Sequence, residues 1–356
     1  MKNLGRTKTY ISIDIEAALI RGKQYIIEIG AVKWLPDGTT ETFTQLIQPY
    51  KFKKLNAHIQ KLTGITTEQL VDAPSFKEAF TKFKRWCKQD YVFLTFGEFD
   101  RKVLEEELSR NYIKNDCLYP MIDFQQKYMI ANGLKEQPSL GGLMAQLGLE
   151  NETQHRALAD AASLLSIFVK VDGDKIIEQQ QTNDFILLLT NFKMLETTYE
   201  LVISATNCKI EDNGITIQSM ETFRDELPFT VQMVERQGED GEMITVEKVS
   251  IKPNVQAKQL LQQISENMSG KILISRTALR SMSKILKLHQ VTLPKTEVMT
   301  LVNLLKKEEI IARFNLDDEP TNTYEARVLR LLNKYEHMFV SEFYKRALIE
   351  ENIIQV

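Results

Sequence analysis

The stretch YISIDIEAALI, residues 10–20, decides the fold of the N-terminal half of the chain. Its apolar and polar residues alternate, which predicts a β-strand with the isoleucines on one side. Asp14 and Glu16 then share the other side, about 7 Å apart, since each strand residue advances about 3.3 Å. Two like charges at the end of an apolar strand are usually a solvated strand edge, but they can also be half of a cation site.

The rest of this half alternates predicted strands and helices. Strands are predicted at residues 25–35, 40–49 and 91–96, the first two joined by a Pro-Asp-Gly hairpin turn, and LYPMID predicts a further short strand. Helices are predicted to begin after the N-caps Ser75 and Ser139. This order indicates an α/β fold: a mixed sheet flanked by helices, with a hairpin at one edge and parallel crossovers after it.

A chain of 356 residues is too long for one ordinary core, so we expect two domains. We place the first at residues 1–172, a polar linker at 173–184, and an α+β domain of unassigned fold at 185–356. In the last of these the sequence predicts a strand TYELVISA, a hairpin with an Asn213-Gly214 turn and a second hairpin over residues 229–251. Helical stretches are predicted near 255–267, 276–289 and 296–306 and from Thr323 onward.

Composition bounds the function only loosely. The net charge is −3, but residues 1–170 contain 23 Lys/Arg and 20 Asp/Glu, so nucleic acid, if bound, is expected at the N-terminal half. The three cysteines are widely spaced and form no CxxC pair, which favours a reducing cytoplasm over a disulfide framework. The N-terminal residues lack the apolar run of a signal peptide, so none is predicted, and no apolar run is long enough to span a membrane.

Two further aspartates lie at predicted strand and helix junctions. Asp100 follows the buried strand at 91–96, where an acid in the first turn of a helix can also simply complement the helix dipole. Asp160 falls on the apolar face of the last helix of this half, where an ionised carboxylate is costly unless a cation pairs with it. His155 precedes that helix, a position more often taken by a surface or capping residue.

Four carboxylates from three separate segments favour a hard divalent cation. Such oxygen donors suit Mg²⁺ or Mn²⁺ rather than zinc, and clustered carboxylates stay ionised together only when cations lie between them. Two ions about 4 Å apart can stabilise the attacking and leaving oxygens of a phosphodiester displacement. A histidine outside the carboxylate shell fits the general base.

These motifs, taken in chain order, resemble those of the DEDDh 3′–5′ exonucleases of the RNase H-like superfamily. The resemblance runs from about residue 8 to 170. Each motif alone is weak, and their order makes the match specific. The motifs are DIE (14–16), IIEIGAVKW (26–34), HIQKLTGITTEQLVDAPSFKEAF (58–80), TFGEFDRKVL (95–104), YPMID (119–123) and HRALADA (155–161).

The resemblance implies an RNase H-like exonuclease domain that degrades a single-stranded RNA or DNA 3′ end. It also implies that Asp14, Glu16, Asp100 and Asp160 bind two metal ions, Mg²⁺ or Mn²⁺, and that His155 is the general base.

The sequence departs from the proofreading members of the family after Glu16. Those members usually read Asp-x-Glu-Thr-Thr, with a threonine near the terminal sugar, whereas this chain has Ala17 and Ala18. An alanine there, together with FGEFD, looks more like the KapD and enhanced-RNAi exonuclease-like branch, which favours RNA over DNA. The resemblance implies that Ala17, Ala18 and Phe99 contact the substrate.

Two other functions stay open at this point. One is a non-catalytic or weakly active regulatory or nucleic-acid-binding protein that keeps the exonuclease fold. The other is a polymerase proofreading partner, which Ala17 and Ala18 disfavour. The complete set of carboxylates with His155 favours the enzyme, and the C-terminal domain is expected to recruit substrate or a protein partner.

Two runs mix basic and aromatic residues, as a single-strand channel does. They are Lys51–Lys54 with His58 and Lys61, and KFKRWCK, residues 82–88. A solvated face over core aromatics is the more frequent explanation of such runs.

Overall fold

The computed structural model describes residues 8–88, 90–149, 156–180, 182–211, 214–237, 242–275, 280–294, 296–304 and 324–346. The chain divides into two compact units, one of Met1–Gln181 with Tyr344–Val356 and the other of Thr182–Phe343. Within the described residues no helix is both long enough and apolar enough to cross a membrane.

The first unit has a mixed sheet in the order β3-β2-β1-β4-β5. β1, β2 and β3 pair antiparallel, whereas β4 pairs parallel with both β1 and β5, so the predicted hairpin edge and parallel crossovers are confirmed. The strands are β1 Thr9–Ile20, β2 Lys23–Trp34, β3 Thr40–Leu46, β4 Tyr91–Thr95 and β5 Met121–Asp123.

Helices cover both faces of this sheet. Ser75 and Ser139 accept hydrogen bonds from backbone N–H groups of the helices they precede, as N-caps do, so both predicted helix starts are confirmed. The helices are α1 Ala57–Thr63, α2 Thr67–Val71, α3 Phe76–Cys87, α4 Phe99–Arg110, α5 Phe124–Ala131, α6 Leu140–Gln146, α7 Ala157–Lys170 and α8 Gly173–Gln179, with a 3₁₀ turn at Asp116–Leu118.

Two apolar layers hold the sheet between the helices. On one side the isoleucines of β1 pack with aromatic residues of α3 and with leucines of α4. On the other side Tyr10 of β1 packs with residues of α5, α6 and α7, including Phe168. Ile177 of α8 is buried in this second layer, so a helix of the first unit lies within the predicted linker, residues 173–184.

The second unit is built on a sheet in the order β11-β10-β6-β7-β8-β9, with helices flanking it. One apolar cluster packs β6 and β10 against α12, and another packs the opposite face against α9 and α10. The elements are β6 Asp184–Met194, β7 Thr198–Glu211, β8 Gly214–Gln237, β9 Met243–Ile251, α9 Val255–Asn267, β10 Ile272–Ser275, α10 Arg280–His289, β11 Val298–Thr300, α11 Leu301–Leu304 and α12 Tyr324–Arg346.

The C-terminal α+β prediction is confirmed, with corrections. Both hairpins form, as the β7–β8 and β8–β9 pairings, although Asn213 of the first turn lies outside the described residues. β6 is absent from the sequence predictions. The helix predicted at 296–306 is wrong at its start: Val298–Thr300 is a strand, because it pairs parallel with β10.

Candidate active site

One face of β1 carries the two carboxylates of the opening motif. Tyr10, near the start of this face, and Ala18, near its end, are buried in two different apolar clusters. Asp14 and Glu16 lie between these clusters and are half-buried. The isoleucines of the strand point into the opposite layer, so the predicted alternation is confirmed.

Gly30 of β2 lets α7 approach the sheet closely enough to bring Asp160 to the same face. Gly30 is the register partner of Asp14. A Cβ at Gly30 would lie 2.1 Å from the backbone C of Ala157 and 2.1 Å from the backbone N of Leu158. A side chain here would therefore displace the first turn of α7, which carries Asp160.

Asp14, Glu16 and Asp160 form a compact carboxylate group. Each presents an oxygen, and the three oxygens lie within 4.8 Å of one another. The structure therefore brings Asp160 together with Asp14 and Glu16, from which it is far apart in sequence.

Asp100 lies beside this group, at the start of the helix that follows β4. It lies in the first turn of α4, is 5% exposed, and its Oδ1 accepts a hydrogen bond of 3.3 Å from the Ile15 N–H. β4 pairs with β1 only as far as Ser12, which leaves that N–H outside the β1–β4 ladder. The turn before α4 is held by Asp123, whose Oδ1 accepts from the Gly97 N–H at 2.9 Å.

Burial and mutual repulsion raise the pKa values of three of these carboxyl groups. Burial raises the pKa of Asp14 well above its ordinary value, with further contributions from Asp100, Asp160 and Glu16. The pKa of Glu16 rises to about 7, first through burial and then through Asp160 and Glu28. The pKa of Asp100 also rises to about 7, chiefly through burial. A bound cation would favour the ionised forms.

Glu28 holds the start of α7, and the sequence predictions did not single it out. Its side chain is buried and accepts two hydrogen bonds from Arg156, 2.7 Å from Nη2 and 3.1 Å from Nε. Its Oε2 also accepts from the Ala157 N–H at 3.2 Å, which supplies the cap that the N-cap residue Arg156 does not provide. Glu28 is the register partner of Glu16, so this contact fixes α7 beside the carboxylates.

The residues predicted to contact the substrate differ in how exposed they are. Phe99 is 51% exposed beside Asp100. Ala17 is half-buried against the core, and Ala18 as a whole residue is only 2% exposed, so little of Ala18 is open to a substrate in this structure. His155 lies outside the described residues, and its predicted role stays a prediction.

Known proteins that resemble this chain match its first unit. A family model described as "Exonuclease", RNase_T, matches residues 11–168. The probable 3′–5′ exonuclease KapD of Bacillus subtilis is 28% identical over 178 residues, which cover 48% of this chain and 87% of that protein. The DNA polymerase III subunit epsilon of Aquifex aeolicus is 30% identical over 164 residues, which cover 46% and 80%.

Solved structures include the nuclease domain of 3′hExo, a DEDDh family member, bound to rAMP. It aligns with a TM-score of 0.42 and 25% identity, covering 47% of this chain and 92% of that one. Together, the fold, the family model and the relatives define the class as nucleic-acid exonucleases acting at 3′ ends. The chain belongs to the DEDDh exonuclease family of the RNase H-like superfamily.

Proposed function

We propose that the first unit is a metal-dependent 3′–5′ exonuclease that removes nucleotides from single-stranded nucleic acid, RNA in preference to DNA. The observation that carries the proposal is the group of three carboxylate oxygens within 4.8 Å, formed by Asp14, Glu16 and Asp160 in a domain of this family. Asp100, buried at the edge of that group, is the fourth proposed ligand.

The donor set fits two Mg²⁺ or Mn²⁺ ions. All four side chains offer hard oxygen donors, which these ions prefer over the nitrogen and sulfur ligands typical of zinc. The raised pKa values of Glu16 and Asp100 also fit a cation site, since neighbouring carboxyl groups oppose each other's ionisation until a cation binds. When bound, such ions supply charge stabilisation to the attacking and leaving oxygens of phosphodiester hydrolysis.

His155 is the proposed general base, one residue before the Arg156 that Glu28 holds. It takes a proton from the attacking water as that water's oxygen bonds to phosphorus. The bond from phosphorus to the 3′ oxygen breaks, and that oxygen gains a proton from solvent. The products are a nucleoside 5′-monophosphate and a strand with a new 3′ hydroxyl.

The RNA preference rests on the residues after Glu16. Ala17 and Ala18 lack the hydroxyl groups that proofreading relatives place near the terminal sugar, and KapD is among the relatives. Epsilon, a DNA polymerase subunit, resembles the chain to a similar degree, so the substrate sugar has to be tested directly. The three cysteines are free, which supports a reducing compartment such as the cytoplasm.

The test compares wild type with Asp14→Asn on 5′-labelled single-stranded RNA and DNA of one sequence, with Mg²⁺, Mn²⁺ or EDTA. Wild type should shorten RNA faster than DNA from the 3′ end, and only with a metal. Asp14→Asn removes one charge without changing the side-chain shape, and we expect at least a 1000-fold lower rate, a loss of about 4 kcal/mol of transition-state stabilisation.

The matched control is Asp37→Asn, which makes the same change in the exposed turn between β2 and β3 and should keep the wild-type rate. Activity that persists in EDTA, or equal rates for Asp14→Asn and Asp37→Asn, would contradict the proposal. Faster shortening of DNA would leave the exonuclease and overturn the RNA preference.

A further inference from the structure

A basic segment lies between β3 and α2, and the proposed chemistry does not use it. Residues 47–66 contain four lysines and no aspartate or glutamate, in a chain whose net charge is −3. The four lysines are exposed. They are Lys51, Lys53, Lys54 and Lys61.

The segment is anchored on the same face of the sheet as the carboxylates. Ala18 follows Glu16 on this face of β1 and is buried in an apolar cluster with Leu55. Phe52 packs against the edge of the same cluster. Because two strand residues span about 7 Å, the anchoring cluster begins at Ala18, about 7 Å along β1 from Glu16.

The anchoring orients the lysines outward. Phe52 and Leu55 point into the cluster, whereas Lys51, Lys53 and Lys54 are exposed. The Leu55 N–H donates to the Thr67 hydroxyl oxygen at 3.1 Å, which ties the end of the segment to the start of α2. The ammonium groups are therefore presented from a fixed backbone.

An exposed aromatic ring lies beside these cations. Tyr50 is 68% exposed, and the Lys51 Nζ is 5.1 Å from the centroid of its ring. An exposed ring next to cationic side chains is the combination that holds single strands, because bases stack on the ring while phosphates meet the cations. By contrast, Phe83 and Trp86 of the second basic run pack into the core layer on the opposite side of the sheet.

We propose that Tyr50–Lys54 is the surface that binds the single strand upstream of its terminal nucleotide, with Lys51, Lys53 and Lys54 on successive phosphates and Tyr50 against a base. This assignment rests on the proposed function, because it takes the carboxylate group as the place where the 3′ end lies. It adds a sequence-independent contact, so it predicts affinity that rises with strand length and falls with salt.

The test measures binding of a 5′-fluorescent single-stranded decamer by anisotropy, in EDTA, at several salt concentrations. Binding is measured without turnover, so the result does not depend on whether the protein is an active exonuclease. The variant Lys51→Gln/Lys53→Gln/Lys54→Gln is compared with Lys77→Gln/Lys82→Gln/Lys84→Gln. The control removes the same charge from exposed positions of α3, in the opposite layer.

Three lost phosphate contacts should lower the slope of log affinity against log salt by about 2, and affinity at 0.1 M salt by about 100-fold. The control triple should keep the wild-type slope, and Lys51→Arg/Lys53→Arg/Lys54→Arg should keep most of it. Tyr50→Ala should weaken decamer binding without changing the salt slope, because it removes stacking and no charge.

A second readout separates this surface from the carboxylate site. Hydrolysis of thymidine 5′-monophosphate p-nitrophenyl ester, which has no upstream phosphates, should be unchanged in the lysine variant and lost in Asp14→Asn. Equal weakening by the two lysine triples, or equal binding of a blunt duplex through these lysines, would overturn the assignment. A wild type that binds the decamer with the expected slope but cleaves neither substrate would overturn the proposed function and support the surface.

Discussion

The two units bury polar groups in different ways. In the first unit, the buried acids Glu28 and Asp100 adjoin the half-buried carboxylates of Asp14 and Glu16, between two apolar clusters on one face of β1. In the second unit, apolar clusters cover both faces of the sheet. Among the described residues, a group of three or more side chains able to hold a metal occurs once, in the first unit.

This difference sets the proposed catalytic site apart from the rest of the described residues. Burying like charges together costs free energy unless partners or cations compensate. Arg156 and the N-terminus of α7 compensate Glu28, and the Ile15 N–H partly compensates Asp100. Asp14, Glu16 and Asp100 all have raised pKa values, as expected of buried carboxyl groups whose charges no protein partner fully compensates.

Among the substitutions that test this comparison between the units, Gly30→Ala should have the largest effect. The added methyl group would meet the backbone of Ala157 and Leu158 at 2.1 Å, and backbone cannot rotate away as a side chain can. We expect a stability loss of about 3 kcal/mol. Because the start of α7 shifts, Asp160 moves and the nuclease rate should fall by about 100-fold. Thermal unfolding and a single-turnover assay measure the two effects.

Gly133→Ala is the control for this substitution. Gly133 has a positive φ of 59°, but a Cβ there meets nothing within 4 Å. The substitution should cost about 1 kcal/mol of backbone strain and leave the rate per folded molecule unchanged. Equal losses of rate in the two variants would mean that the contact between β2 and α7 does not position the site.

Glu28→Gln should have the next largest effect. The amide keeps an acceptor for the Ala157 N–H but loses the charge that pairs with Arg156, so we expect a stability loss of about 2 kcal/mol. α7 then loosens beside Glu16, and kcat should fall by about tenfold or more. Denaturant unfolding and steady-state kinetics separate the two losses.

The matched variant uses another ion pair of β2, in which the β2 residue, Lys33, is the buried member. Lys33 is 2% exposed, donates to Glu41 at 2.8 Å and to the Trp86 carbonyl at 2.6 Å, and packs on the α3 side of the sheet. Glu41→Gln should lower stability, because it leaves the buried Lys33 ammonium without its charged partner, while kcat stays at the wild-type value. A kcat loss in Glu41→Gln as large as in Glu28→Gln would make both effects general consequences of destabilisation.

The pH dependence of stability should also reveal the buried carboxyl groups of the first unit. The pKa values of Glu16 and Asp100 are about 7 in the folded protein, against 4.5 and 3.8 as reference values. The folded state therefore binds more protons than the unfolded state between those values, and the free energy of unfolding falls as pH rises through this window. Without metal, this contribution is lost by about pH 7.

The measurement is thermal unfolding in EDTA and in Mg²⁺ between pH 5 and pH 7.5. Mg²⁺ should raise the Tm more at pH 7.5, where the carboxylates it binds are ionised. Asp14→Asn should reduce both the fall of Tm in EDTA and the gain from Mg²⁺. If Mg²⁺ raises the Tm equally in Asp14→Asn and wild type, the ion binds elsewhere.

The sequence predicts those features of the molecule that depend on local pattern. The alternation in β1 places Asp14 and Glu16 on one face, and serine side chains cap α3 and α6, because each depends on residues a few positions apart. The ordered motifs then indicate the family, and with it Asp100 and Asp160. Three of these four acids meet within 4.8 Å.

What the sequence does not predict depends on long-range contacts. Glu28 and Arg156 are 128 residues apart in sequence. Position 30 must lack a side chain only because α7 packs against β2 there. The glutamate in YIIEIGAV, Glu28, could have been singled out from the sequence, since a charge within a buried strand needs a partner. β11 has three residues, too few for a period, and is a strand only because β10 lies beside it.

The smallest expected effect lies in the hairpin formed by β8 and β9. Val231 and Met233 are 48% and 64% exposed on this hairpin, and Val249, the register partner of Val231, is 39% exposed. In an isolated molecule Val231→Thr/Met233→Thr should change the free energy of unfolding by less than about 0.5 kcal/mol, since neither side chain is buried.

Denaturant unfolding at two protein concentrations measures this change. The control is Leu187→Ala, in the buried core of the same unit, which is expected to cost about 3 kcal/mol. A loss above about 1 kcal/mol in the hairpin variant that grows with concentration would show that a second copy covers these residues, and that the second unit keeps an apolar surface for association where the first keeps carboxylates for chemistry.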